Sequence, residues 1–384
     1  MFAAMATTTA AQLPVFLTGA LSVQIGRDLA LGTRGLAVAV AAFFGFSALC
    51  SAGFGRLSDR LGGARMMRLG TIPATGALLW IGLGVHRLAW LVAALCVAGV
   101  ANGAIQPAAN RYLTRSVGSH RQGMAFGVKQ AAIPAATLLS GLAVPTVAHT
   151  VGWRWAFVAA AVAAAAAGAL VRRSPTATTA PISTETRGTA GDVARQPGRP
   201  ALLLAVGVGC ASGAANAMGA FFVLSAVSIG ESDGHAGLVV AAASIASVLV
   251  RLGIGVRADR RSAGHLRLVA VMCTLGALGP ALLAVGDSRL LVVAALIGYG
   301  IGWGWAGLLN FAVASTHPTA PGRATGLTQV GASAGSCLGP LAFGLIAARL
   351  GYPPAWIGAA LLFLVAALVI RTGQRALLGA RPVT

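Results

Sequence analysis

Gly55-Arg56-Leu57-Ser58-Asp59-Arg60-Leu61-Gly62-Gly63-Ala64-Arg65 is a charged turn set between two long apolar runs. Gly255, Asp259 and Arg260 repeat Gly55, Asp59 and Arg60 at an offset of 200, again between apolar runs. Gln130 and Gln329, Gly152 and Gly351, and Arg172 and Arg371 pair at an offset of 199. Agreement at separate places marks two homologous halves, each bringing its second apolar run onto an Asp-Arg turn.

The 384 residues are 57% hydrophobic and 9% charged, too little polar surface to cover a soluble globule of this length. A membrane span needs roughly 20 apolar residues, and only helices cross a bilayer in runs of that length. Twelve such runs centre near residues 20, 45, 76, 99, 134, 163, 212, 246, 276, 302, 336 and 363. The fold class is therefore an all-α polytopic membrane protein with six spans in residues 1–173 and six in 200–384. Residues 174–199, rich in Thr, Pro, Ala and Gly, bury no core and read as a flexible cytoplasmic linker. Cys50, Cys96, Cys210, Cys273 and Cys337 each fall in a different apolar run and read as small packing residues, not as disulfides or metal ligands. No cofactor is implied.

A formal charge of +20 suggests nucleic acid only where basic residues gather on one soluble face. Here they occupy alternate loops. With the N-terminus cytoplasmic, 20 of the 28 basic residues fall in cytoplasmic loops and tail, and only Arg27, Arg34, Arg87, Arg154, Arg289 and Arg349 lie outside. That asymmetry places both termini inside an inner or plasma membrane. The first apolar run has no basic flank before it, so it reads as a retained span and not as a cleaved signal.

Six plus six spans, a long central linker and a Gly-x-Leu-x-Asp-Arg-x-Gly turn after span 2, with a degraded copy after span 8, resemble the major facilitator superfamily. The resemblance covers nearly the whole chain. It implies two six-helix bundles rocking about a central site, and gating roles for Gly55, Asp59, Arg60, Gly255, Asp259 and Arg260, with Arg111 as a charge partner of Asp59. An electrostatic reason supports Asp59: the free backbone amides at the start of span 11 carry partial positive charge that attracts a carboxylate. Two features usual in the drug antiporters of that superfamily are absent. Gly99 stands where an Arg precedes Gly103, and span 5 reads Ile133-Pro134-Ala135-Ala136-Thr137-Leu138 where they carry Gly-Pro-x-x-Gly-Gly.

All eight acidic residues, Asp28, Asp59, Glu185, Asp192, Glu231, Asp233, Asp259 and Asp287, fall in loops or at span ends, as do the six histidines. The charges at depth are positive. Lys129, the only lysine in the chain, is eight residues beyond Arg121, and Arg251 is eight residues before Asp259. At about 1.5 Å per residue each lies roughly 12 Å from the cytoplasmic end. A buried cation costs at least ~2.5 kcal/mol, so a partner is expected. An anionic substrate supplies one, and the guanidinium fork suits a planar oxyanion. The run from Arg251 to Asp259 also resembles span 8 of monocarboxylate-type anion carriers. The bland alternatives are a snorkelling or carbonyl-bonded Lys129, and an Arg251 held by neighbouring carbonyls or by Asp259.

Asn102, Gln106 and Asn110, spaced i, i+4 and i+8, share one face of span 4 as either helix-packing amides or a polar cavity wall. With Asn310, Trp303 and Tyr299 on span 10 they complete the expected lining. The reading is a monomeric secondary transporter of a small organic or inorganic anion, coupled to a proton or to a counter-anion. Efflux of drugs or amphipathic compounds is the alternative, and a non-transporting sensor on the same fold is a third. No nucleophile, acid-base pair or metal cluster supports an enzyme.

Overall fold

Backbone N–H and C=O groups have no water to bond within a bilayer, so long apolar runs satisfy them internally as helices. The computed structural model describes residues 1–118, 121–171, 198–260, 264–316 and 321–379. The expected linker lies almost wholly outside the described residues, as do the side chains of Asp259, Arg260 and Asn310. Among the described residues there are eleven helical spans long and apolar enough to cross a membrane. They are span 2 (Thr33–Leu61), span 3 (Gly63–Gly84), span 4 (Leu88–Ser116), span 5 (Met124–Ala148) and span 6 (Trp153–Leu170) in the first half. Span 7 (Arg199–Ser228), span 8 (Asp233–Ala258), span 9 (His265–Leu283), span 10 (Ser288–Leu309), span 11 (Gly326–Leu350) and span 12 (Tyr352–Leu377) make up the second.

Span 1 is the exception, and its position corrects the expectation of a run centred near residue 20. The helix is Phe2–Ala20, followed by a short helix, Ser22–Leu29. Thr7, Thr8, Thr9 and Gln12 dilute its apolar character, and all four are buried against protein. A helix surrounded by other helices has no lipid-facing side, so it need not be apolar all round.

Adding six to each span number maps the packing of one half onto the other. Span 1 packs on spans 5 and 6 as span 7 packs on 11 and 12, and span 3 packs on span 6 as span 9 packs on 12. The halves meet along spans 5 and 8, 2 and 11, and 1 and 7. The turn glycines obey the same relation. Gly152 before span 6 and Gly351 before span 12 have φ of 99° and 86°, and Gly62 and Gly264 before spans 3 and 9 have 85° and 86°. Side-chain-bearing residues resist such angles, which explains why glycine occupies the repeated positions. Gly331, Gly335 and Gly339 face Ala205, Gly209 and Gly213 of span 7 at backbone-to-backbone contact, as their spacing on one helix face foretells.

Three of the described spans are broken, span 9 at Ala277 between the helices His265–Gly276 and Leu278–Leu283. Span 5 consists of the helix Gln122–Gln130, the helix Ala132–Ala143 and a π-helical end, Val144–Ala148. Pro134 has no N–H to give the carbonyl four residues earlier, so Gln130 O is left free. Span 10 passes through the π-helical segment Leu296–Gly302 before the helix resumes at Ala306.

Candidate functional site

The amide face of span 4 becomes part of a string. Asn102 Nδ2 donates to Ser47 Oγ on span 2 at 2.8 Å, Gln106 Nε2 donates to Asn102 Oδ1 at 3.3 Å, and Lys129 Nζ donates to Gln106 Oε1. Each amide turns its oxygen toward Lys129 and its NH₂ away, the order that an ammonium at one end imposes. Lys129 is 3% exposed, and no ion pair among the described residues includes it. Asn110 continues the face but not the string; its Oδ1 is buried without a donor.

Arg251 is held differently. Nη1 donates to Gln130 O and Nη2 to Trp303 O, the latter at 2.6 Å, while Nε is buried without an acceptor. Gln130 ends the first helix of span 5, and Trp303 caps the π-helical segment of span 10. The guanidinium therefore sits at two helix C-termini, each worth roughly half a negative charge. Of the two readings of Arg251, a ligand anion or neighbouring carbonyls, these bonds supply the second: both terminal nitrogens donate to main-chain oxygens at helix breaks. Lys129 and Gln130 are consecutive, so both cations bear on one stretch of span 5. Their heads take separate partners, Lys129 reaching span 4 and Arg251 the backbone of spans 5 and 10.

Trp303 stands at the junction of the halves, its ring 5.6 Å edge-on from Phe16 of span 1 and 5.6 Å from Tyr299. Tyr299 is buried, and its hydroxyl donates to Met218 O on span 7 at 3.0 Å, which commits that group to packing within the second half. Asn310 has its side chain outside the described residues.

At the Asp59 end, Arg111 pairs with the Asp59 carboxylate and donates from Nη2 to Asp59 O at 3.1 Å. Both residues belong to the first half, so the pair ties span 2 to span 4 and not one half to the other. The Asp59 side chain is 66% exposed. The helix that carries span 11 begins at Pro321, and the side chains of residues 321–325 lie outside the described residues. Gly55 faces Pro107 of span 4, Gly255 faces Gly127 of span 5, and Arg60 is exposed.

None of the site residues expected from the sequence lies on span 1. Thr8, Gln12 and Phe16 recur at i, i+4 and i+8 on one face, and Phe16 and Gly19 meet span 7 with that face. Thr8 Oγ1 and Gln12 Oε1 are buried without partners. The low hydropathy of the first run was the available signal. A groove of about 370 Å³ between spans 1, 5 and 6 is lined by Phe2, Thr9, Ala10, Leu13, Ala135 and Leu139 and carries no charged side chain.

A helical bundle with two like halves and polar side chains at their junction defines a class of multi-pass membrane protein. The chain belongs to the Major Facilitator Superfamily, whose family model matches residues 1–283 and 204–378. An uncharacterized MFS-type transporter of Mycobacterium tuberculosis is 34% identical over 103 residues, which cover 27% of this chain and 18% of that protein. A crystal structure of a bacterial homolog of the human lysosomal transporter Spinster, in an inward-facing and occupied conformation, superposes with a TM-score of 0.73. The identity is 14%, over 99% of this chain and 97% of the other, so the likeness is one of fold.

Proposed function

We propose that the protein is a secondary transporter that carries a small anion by alternating access, with the Asp59 end and both termini in the cytoplasm of an inner or plasma membrane. The observation that carries the anion reading is Lys129: an ammonium 3% exposed, bonded to a neutral amide, and in no ion pair among the described residues. An ammonium has three N–H groups, and Gln106 takes one of them. A ligand bearing negative charge satisfies the others and lowers the cost of the buried charge. Gln106 and Asn102 orient Lys129, while Arg251 joins the halves beside the site through Gln130 O and Trp303 O. A proton or a counter-anion completes the cycle. The absence of the two drug-antiporter features places efflux of amphipathic compounds second, although the aromatic cluster of Phe16, Tyr299 and Trp303 suits such ligands.

The test is thermal stabilisation of the purified protein by acetate, lactate, phosphate and sulfate on one side and tetraphenylphosphonium on the other. Stabilisation by one of the anions that Lys129→Met abolishes is the expected result. Stabilisation by the lipophilic cation, or by anions regardless of Lys129, overturns the anion reading and favours efflux.

A further inference from the structure

The Asp59–Arg111 pair joins two spans of one half, whereas a histidine–carboxylate hydrogen bond that crosses between the halves lies at the opposite end of the bundle. His149 Nε2 is 3.0 Å from Asp233 Oδ1, and Gln24 Nε2 donates to Asp233 Oδ2 at 2.7 Å. Gln24 comes from the short helix after span 1 and His149 from the end of span 5, both in the first half. Asp233 opens span 8, in the second half. Its Oδ1 also accepts from Gly234 N at 2.8 Å, which fixes the carboxylate against its own helix. The Asp233 side chain is 15% exposed and the His149 side chain 42%, so the Gln24 bond is partly shielded while the His149 bond borders solvent, and the carboxylate acceptor makes both charge-assisted.

The seam behind the carboxylate is closed without side chains. Gly234 packs against the His149 ring, and Gly237 and Gly141 touch across spans 8 and 5. Deeper in, Thr137 Oγ1 and Ser244 Oγ share a hydrogen bond of 2.7 Å. The π-helical turn Val144–Ala148 precedes His149 directly, and the extra residue such a turn inserts rotates His149 toward span 8. Neighbouring charges are satisfied within their own halves: Glu231 by His235 at 2.6 Å, Asp28 by Trp153 Nε1 at 2.8 Å, and Arg154 by Val85 O at 2.7 Å. Asp233 alone of these faces across.

We infer that Asp233, clamped by Gln24 and His149, is the gate residue whose three-residue junction sets how often the protein opens at this end. It is a positioning group for transport: it touches no substrate, and it holds spans 5 and 8 together on the face opposite the Asp-Arg turn. The inference rests on the alternating-access part of the proposed function and is independent of what is carried. Separation of the halves at this end must break both side-chain bonds at once, because both end on one carboxylate.

The experiment uses Ala241→Cys, a position 4% exposed beside Gly141 in the seam, as a reporter in the full-length protein. Its alkylation by a sulfonated maleimide is followed peptide by peptide with mass spectrometry, which separates it from the five native cysteines. Asp233→Asn is expected to raise the alkylation rate on the order of tenfold, the equivalent of one charge-assisted bond at the weak end of its range, because the amide keeps part of the bonding. Gln24→Leu and His149→Leu each raise it less, and neither adds to Asp233→Asn. Glu231→Gln, two residues before Asp233 and paired within its own half, leaves it unchanged. A rate within twofold of the parent for Asp233→Asn, or an equal rise for Glu231→Gln, overturns the gate; if Asp233→Asn does not fold, Gln24→Leu decides by the same criterion. A reporter that never reacts in any variant refutes alternating access itself, whereas loss of anion stabilisation with the gate responses intact refutes only the choice of substrate.

Discussion

Replacing Arg251 by leucine removes the group that two carbonyls from different halves share. Gln130 O and Trp303 O then lose their donor in a place that is 2% exposed at Arg251. Each orphaned acceptor costs about 1–3 kcal/mol, so the pair costs about 2–6 kcal/mol. Leucine also ends the burial of a charge, which returns part of that sum, since a hydrophobic substitute avoids desolvating an ion. The net expectation is a loss of roughly 2–4 kcal/mol. Arg251→Lys is the informative companion. An ammonium is a point donor on a single stem and cannot span two carbonyls in the fixed geometry of a guanidinium fork, so it should recover about half of the loss. Thermal or denaturant unfolding in detergent, without added anion, measures both. The order parent, then Arg251→Lys, then Arg251→Leu supports the clamp. Equal or higher stability for Arg251→Leu refutes it and returns Arg251 to the role of a charge held for a ligand, in which case anion-induced stabilisation must fall in the same variant.

Further outcomes can be checked in the same preparations. Gly335→Ala places a methyl group into the backbone of Gly209, and as an overpacked helix contact it should cost about 1–3 kcal/mol and lower the unfolding temperature; no change would mean that spans 7 and 11 are free to separate. Lys129→Met leaves Gln106 Oε1 without its donor yet removes a buried charge, so stability should change by no more than about 1 kcal/mol while anion-induced stabilisation disappears. Asp59→Asn weakens a pair whose carboxylate is 66% exposed, so it should alter stability by less than about 1 kcal/mol, and cysteine reporters at the Asp59 end should register any effect on opening. Gly152→Ala and Gly351→Ala, at φ of 99° and 86°, should each destabilise by roughly 1 kcal/mol, and unequal responses would show that the two halves bear strain differently.

Sequence alone determined the elements that depend on composition and local spacing. Apolar runs of span length, the twofold repeat and the small-residue face of Gly331, Gly335 and Gly339 are all written in residue type and interval, whereas the positive φ of Gly62, Gly152, Gly264 and Gly351 emerged only with the backbone. Bilayer chemistry leaves a run of that length no alternative to a helix. Span 1 was misplaced because Thr7 to Thr9 and Gln12 are polar for a reason invisible locally: other helices surround them. Partner choice was likewise decided only in three dimensions. The i, i+4 spacing of Asn102 and Gln106 fixes their common face, but the crossing of spans 4 and 5 brings Lys129 to the end of their string. Arg251 had no acidic partner in the sequence because its partners are main-chain oxygens, and a carbonyl becomes a partner only where Pro134 or a π-turn releases it and the fold carries it across the seam. Asp233 read as a loop acid for the same reason. Its bonds to Gln24 and His149 span 209 and 84 residues, and no local pattern encodes a contact made by packing one half of the chain against the other.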